Sequence, residues 1–290
     1  MSIDVDGRWH ERRLPLFETI RKSYASYFAY FPDMLRATMP WLIIGPLAVG
    51  CGFWLQVSWM LEAIAEAQRG GKPGMPAMPL ATTLLPHLGY LVLNIGIVSI
   101  AVAWHRRMII GERPAPTDIH VVTGRFWRYV GVYLAIALIC FTVIAVVAIP
   151  AFIGAQAFAK QFPQVVVGVA IVCGATILIF AVGIMCRLAP LLPARAIDDT
   201  TLTFRATWRR TRGNTWRLFW GIVACSVVPA VPLQILIVIA AQSLGVDPAP
   251  DSVIAHLVTI VVIPTAFYIL IVPIFIGFLS LAYQHFFEQV

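Results

Sequence analysis

Residues 198–220 read DDTTLTFRATWRRTRGNTWRLFW. Arg205, Arg209, Arg210, Arg212 and Arg217 fall in this stretch, with Arg195 just upstream, and it holds no lysine. Trp208, Trp216 and Trp220 sit among them, and long apolar runs flank the stretch on both sides. The pattern predicts a basic, aromatic surface helix, a break at Gly213 and Asn214, and then the start of a membrane span. Glycine ends a helix by accepting a left-handed backbone, and Asn214 suits the cap of the next helix. Tryptophan prefers headgroup depth, and the arginine fork bonds phosphate oxygens bidentately.

Composition agrees with that reading. Hydrophobic residues make up 60% and charged residues 12%, at a mean hydropathy of +0.84. A soluble domain is nearer half apolar and a quarter charged. Several runs reach the roughly 20 apolar residues needed to cross about 30 Å of hydrocarbon. The expected fold is therefore all-α: a polytopic integral membrane protein of six transmembrane helices, in a single membrane domain over residues 1–290. The spans are expected at 38–60, 80–103, 129–158, 163–187, 218–241 and 253–283. Pro163 fits the first turn of the fourth, and Asp251 or Ser252 the cap of the sixth. With a net charge of +7, anionic lipid is the expected partner rather than nucleic acid.

Ahead of the first span, residues 1–13 are expected to form a short arm. Phe17, Ile20, Tyr24, Tyr27, Phe28, Phe31 and Leu35 then recur at three- and four-residue steps. That spacing predicts an amphipathic helix, either lying in the headgroup region with its rings inward or packed on the membrane domain. The segment lacks a cleavable leader's layout, so the first span is expected to remain as an anchor.

Of the 21 lysines and arginines, 18 fall in residues 1–36, 104–129 or 187–217. This bias predicts that both termini and those loops are cytoplasmic. Residues 124–129 (GRFWRY) and 213–218 (GNTWRL) share a Gly-x-x-Trp-Arg spelling, and residues 31–36 (FPDMLR) are a degenerate form. Arg36, Arg128 and Arg217 are 92 and 89 residues apart. The spacing predicts three parallel helical-hairpin repeats, with amphipathic cytoplasmic helices before the odd-numbered spans. After the arm and helix of residues 1–37, the units are 38–113, 114–199 and 200–290.

No Asp, Glu, Lys or Arg falls well inside an expected span, which counts against proton relays and ion-coupled pumps. Gln56, Asn94, Gln156, Gln234, Thr142, Thr176 and Thr259 are expected to hydrogen-bond between helices. Span prolines such as Pro46, Pro150, Pro229 and Pro273 kink helices, and kinked helices can line a cavity for lipid or solute. The five cysteines read as small buried hydrophobes. His87, His105, His120 and His256 lack ligand spacing and read as interfacial polar residues. Met60, Met75 and Met78 are the one soft-metal possibility, a poor one. The expectation is no metal, no cofactor and no catalytic residue. For lipid headgroups the expected residues are Arg36, Arg128, Arg205, Arg209, Arg210, Arg212, Trp216 and Arg217.

Residues 104–114 (WHRRMIIGERP) and the W-R-x-T-x-G-N-x-W-R-L segment from Trp208 to Leu218 resemble a known family. They are similar to the membrane domain at the front of some bacterial glycerophosphodiester phosphodiesterases and to its stand-alone six-span relatives. The resemblance implies a bacterial inner-membrane domain. In that family the phosphodiesterase activity lies in a separate soluble barrel, so no catalytic residue carries over. Two functions follow as expectations. One is a non-enzymatic membrane protein binding anionic phospholipid, or a partner protein, through a basic Arg/Trp face. The other is a transporter or transporter subunit for a small solute or lipid.

Overall fold

Helices account for nearly all of the described residues, 13–69, 79–115, 120–158, 163–243 and 257–288, and no strand occurs among them. The structure, a computed structural model, contains six helices long and apolar enough to cross a membrane. They are α2 (Phe31–Gln68), α3 (Leu80–Ile110), α4 (Gly124–Phe158), α5 (Pro163–Leu188), α8 (Thr215–Ser243) and α9 (Ile263–Phe287). The chain is thus a multi-pass, all-α membrane protein. Shorter helices lie at the arginine-rich end: α1 (Leu16–Ala29), α6 (Leu191–Ala196) and α7 (Phe204–Arg210). Asp251, Ser252, His256, Met75 and Met78 lie outside the described residues, as do the side chains of Gln156 and Thr259.

Two of the boundaries that move from their expected places do so for clear local reasons. Phe31 begins α2 instead of continuing the surface helix, with a turn at Tyr30 between them. Pro32 explains the break, since inside a continuous helix its ring would clash with the Phe28 carbonyl. In the first turn of α2 its missing N–H costs nothing. At the other end α2 runs on to Gln68, through residues expected to be loop. The segment LEAIAEAQ consists mostly of good helix formers, and Gly70 is the first strong breaker.

Helix α9 is the centre of the bundle and packs on α1, α2, α3, α6 and α8. Its buried face includes Ile269, Ile276, Phe278 and Leu279. Phe278 lies over Gly221 of α8, where a Cβ would collide with the ring. Helices α2 and α3 touch backbone to backbone. A Cβ on Gly52 would sit 2.6 Å from the Leu85 carbonyl oxygen, and one on Gly89 the same distance from that of Ala48. Small residues permit such close approach between membrane helices, where dispersion replaces the hydrophobic drive. Helices α4 and α5 pack chiefly on each other, and Phe141, Phe152, Leu178 and Phe180 point outward. Cys140, Cys186 and Cys225 are buried and unbridged.

The segments ahead of the odd-numbered spans differ from one another. Before α2 stands the 14-residue α1, and before α8 the short α6 and α7. Before α4 the described residues form only a three-residue 3-10 turn, His120–Val122. The docked face of α1 also differs from the ring stripe. Thr19, Ser23 and Tyr27 are buried, whereas Phe17 (86% exposed) and Phe28 (68%) face outward. Hydroxyls make the docking specific. Ser23 donates to the Ile274 carbonyl (2.6 Å), Tyr24 to Ala224 (2.8 Å) and Tyr27 to Leu270 (3.1 Å). Burial raises both phenols above their usual range. The helix therefore packs on the bundle through Leu16, Ile20 and the Tyr24 and Tyr27 rings as well as its hydroxyls, and presents Phe17 and Phe28 to its surroundings.

Candidate functional site

At the basic end, Arg106 near the close of α3 is buried and organises a charged cluster. Its Nε donates to Glu112 Oε2 at 2.9 Å, and one terminal nitrogen pairs with the same oxygen. The other terminal nitrogen donates to the Ala196 carbonyl at 3.1 Å and to Asp198 Oδ2 at 3.4 Å. Gly111 makes this possible: its φ of 73° ends α3 and folds Glu112 back beside Arg106. The Arg106 hydrogen bond holds the Glu112 carboxyl below the usual carboxylate range, against the opposing effect of burial. Asp198, itself left-handed at φ 66°, also accepts from Arg128 at 2.8 Å. Arg125 stands 3.8 Å from Glu112 and 3.9 Å from Asp198.

Two further ties close this end. Asp33 bonds both Arg107 (2.7 Å) and Arg36 (3.1 Å), and Arg107 lies over the Tyr30 ring. Asp199 accepts from the Thr201 amide (2.9 Å), the Thr201 hydroxyl (2.6 Å) and the Tyr283 hydroxyl (2.9 Å). Burial alone would raise its carboxyl, but the Thr201 and Tyr283 bonds hold it below the usual range. His105 is not interfacial: it is fully buried, with Nδ1 2.8 Å from the Ser280 hydroxyl and Nε2 3.5 Å from that of Tyr129. The Ser280 hydroxyl donates to the Ile276 carbonyl, so its oxygen accepts from Nδ1–H. That assigns the tautomer by its bonding partners. His120 is buried too, its amide donating to the Ser99 hydroxyl.

The expected headgroup residues do not form one surface. Arg36 and Arg128 are spent on Asp33 and Asp198. Arg217 donates to the Leu14 carbonyl at 2.6 Å, and Arg210 to that of Phe286 at 3.4 Å. Arg205 and Arg209 are exposed, and among the described residues neither has an acidic partner. They stand four apart on α7, hence on one face. Arg212 is exposed just beyond. Trp208 of the same helix is stacked under Arg187, 3.5 Å from guanidinium carbon to ring centre. Trp216 is 65% exposed. Gly213 takes the expected left-handed backbone (φ 75°), and Asn214 stands just ahead of α8, its Oδ1 accepting from the Leu14 amide at 2.8 Å.

Toward the far ends of α2, α3, α8 and α9 an open cavity of about 730 Å³ lies between the helices. Gln56, Asn94 and Gln234 all line it, with Tyr90, Thr265 and Tyr268. These amides do not join helix to helix as expected. Asn94 Nδ2 donates to the Tyr90 carbonyl of its own helix at 2.8 Å. Gln56 and Gln234 have no partner among the described residues. Thr142 and Thr176 likewise bond back to Leu138 and Val172 on their own helices. A π-helical turn, Leu257–Val262, supplies Val261 to the wall, followed at once by Pro264. Such turns concentrate at functional sites. The convergence was illegible beforehand because polar residues 38 and 140 positions apart carry no sign of proximity.

Among the described residues no three His, Cys, Asp or Glu side chains gather as a metal site would require. Comparison with family models, with curated proteins and with solved structures returned no match to this chain.

Proposed function

We propose that this is a non-enzymatic integral membrane protein that binds anionic phospholipid headgroups at its basic end, which faces the cytoplasm. The observation that carries the reading is the α7 face: Arg205 and Arg209 exposed and without acidic partners among the described residues, beside Trp208 and Trp216. The other arginines of the basic end are largely committed to carboxylates or carbonyls. Their role is to hold the platform together, and α7 is the part that meets phosphate. Each base near an anionic leaflet contributes about 1 kcal/mol. The placement of 18 of 21 bases supports cytoplasmic termini, and the resemblance in residues 104–114 and 208–218 supports a bacterial inner membrane.

The test is lipid retention. Full-length protein is exchanged into phosphatidylcholine nanodiscs doped with phosphatidylglycerol, and its bound lipid is measured by native mass spectrometry. The double variant Arg205→Gln/Arg209→Gln is expected to lower phosphatidylglycerol retention on the order of tenfold, with little change in phosphatidylcholine. Unchanged retention in a folded double variant would sink the proposal.

A further inference from the structure

The far-half cavity plays no part in headgroup binding by α7. We propose that it binds a single-chain amphiphile with an uncharged, hydroxyl- or ester-bearing headgroup, of the monoacylglycerol type. Its walls mix chemistry in a telling way. Val49, Phe53, Leu93 and Ile97 give an apolar floor, while Gln56, Asn94 and Gln234 open amide groups into the space. None of the lining side chains is Asp, Glu, Lys or Arg.

Depth turns that mixture into a requirement. Asn94 lies 13 residues from Arg107, or about 20 Å along the helix at 1.5 Å per residue, which is mid-bilayer. An amide oxygen exposed there to hydrocarbon alone is costly, so an occupant that donates a hydrogen bond to it is favoured. Asn94 Oδ1 accepts no hydrogen bond among the described residues, and Gln56 and Gln234 are unpartnered among them. Carboxamides offer both donors and acceptors, which suits hydroxyl and ester groups. A charged head would find no counter-ion on these walls, and a bare hydrocarbon would leave Gln56, Gln234 and the Asn94 oxygen unmet.

Size narrows the occupant further. At roughly 30 Å³ for each water-sized group, 730 Å³ holds about two dozen heavy atoms. That is enough for one acyl chain with a small head. The volume also lies within the range of about 300–1,000 Å³ typical of small-molecule sites. A smaller space of about 250 Å³ adjoins it, sharing Phe53, Gln56 and Tyr90 and reaching Thr83 and His87 near the start of α3.

The experiment uses full-length protein in phosphatidylcholine vesicles with three diazirine-chain probes of equal length: a monoacylglycerol, an anionic lysophosphatidic acid and a plain alkane. Cross-linked peptides are mapped by mass spectrometry. The expected result is monoacylglycerol labelling of α2, α3 and α9 peptides at the cavity, about fivefold above either other probe and competed by unlabelled monoacylglycerol. Asn94→Leu is expected to cut that labelling about fivefold without loss of fold, because the amide bonds only within its own helix. Equal labelling by the alkane, stronger labelling by the anionic probe, or label confined to the outer faces of α4 and α5 would overturn the proposal. Should Asn94→Leu fail to fold, the wild-type map and competition decide alone. The cavity lies far from Arg205 and Arg209, so either proposal can fail without the other.

Discussion

At residues 124–129 and 213–218 the same Gly-x-x-Trp-Arg spelling starts a long apolar helix. In both, the tryptophan faces outward, with Trp127 60% and Trp216 65% exposed. In both, the arginine is tied back to the protein. The ties differ. Arg128 joins a half-exposed ionic cluster around Asp198, in company with Arg106, Arg125 and Glu112. Arg217 instead holds the backbone of Leu14 across 203 residues of sequence, and Asn214 takes the Leu14 amide beside it. The glycines differ as well. Gly213 is left-handed, whereas Gly124 is the first residue of α4, with open space where a Cβ would go. One start is held by charge near the surface, and the other by backbone geometry and a buried tie. Identical spelling therefore does not imply identical mechanics.

The contrast can be broken by substitution. The largest effect is expected from Arg217→Met, which removes a charged donor from a carbonyl and frees the N-terminal segment. A loss of about 1.5–3 kcal/mol is expected, read from denaturant unfolding in detergent micelles. Hydrogen exchange should quicken at Leu14 and along α1. An unaltered midpoint would show that Leu14 is held by Asn214 alone. Next comes Gly213→Ala, which places a Cβ at φ 75° and should cost about 1–2 kcal/mol. The matched Gly124→Ala should stay within about 0.5 kcal/mol of wild type. Equal costs at the two glycines would erase the distinction.

Smaller effects are expected from the ionic start. Arg128→Gln should cost only about 0.2–1 kcal/mol, because the pair is about half exposed and screened by salt. Its cost should shrink further in high salt, whereas that of Arg217→Met should not. Smallest is the acid response of Glu112. The Arg106 bond lowers its folded pKa below the unfolded value of about 4.3. The resulting stability is present above that value and fades as pH falls through the folded pKa. Melting temperatures measured against pH should therefore drop on the acid side. Glu112→Gln should remove part of that drop, while Asp199, also lowered, keeps the remainder.

The three surface helices show how far local pattern reaches. Before α2 the periodicity of residues 16–35 announces a helix and part of its docked face, since Ile20, Tyr24 and Tyr27 pack on the core while Phe17 and Phe28 do not. Phe17 and Phe28 look like the natural buried stripe, but Ser23, Tyr24 and Tyr27 found carbonyl acceptors on α8 and α9. A hydroxyl whose bond lies 200 or more residues away gives no periodic signal. Arg106 is the same lesson at a charged residue. It reads as one base among several in WHRRMIIGERP, and becomes a buried hub only because Gly111 turns Glu112 back and Asp198 arrives from beyond α6.

Several properties of this protein were determined by sequence alone: the six long apolar helices, the outward tryptophans at residues 127 and 216, and the left-handed break at Gly213. Each depends on a quantity local to the chain, such as run length, side-chain amphipathicity or the φ that only glycine adopts freely. The tertiary structure alone decided which arginines remain available to a ligand, which face of α1 is docked, and that three distant glutamine and asparagine side chains share one cavity. Those outcomes turn on partners brought close by packing. A guanidinium is the same group on α7 and on α8. On α8 the fold ties it to the Leu14 carbonyl, whereas on α7 it leaves Arg205 and Arg209 exposed, with no acidic partner among the described residues.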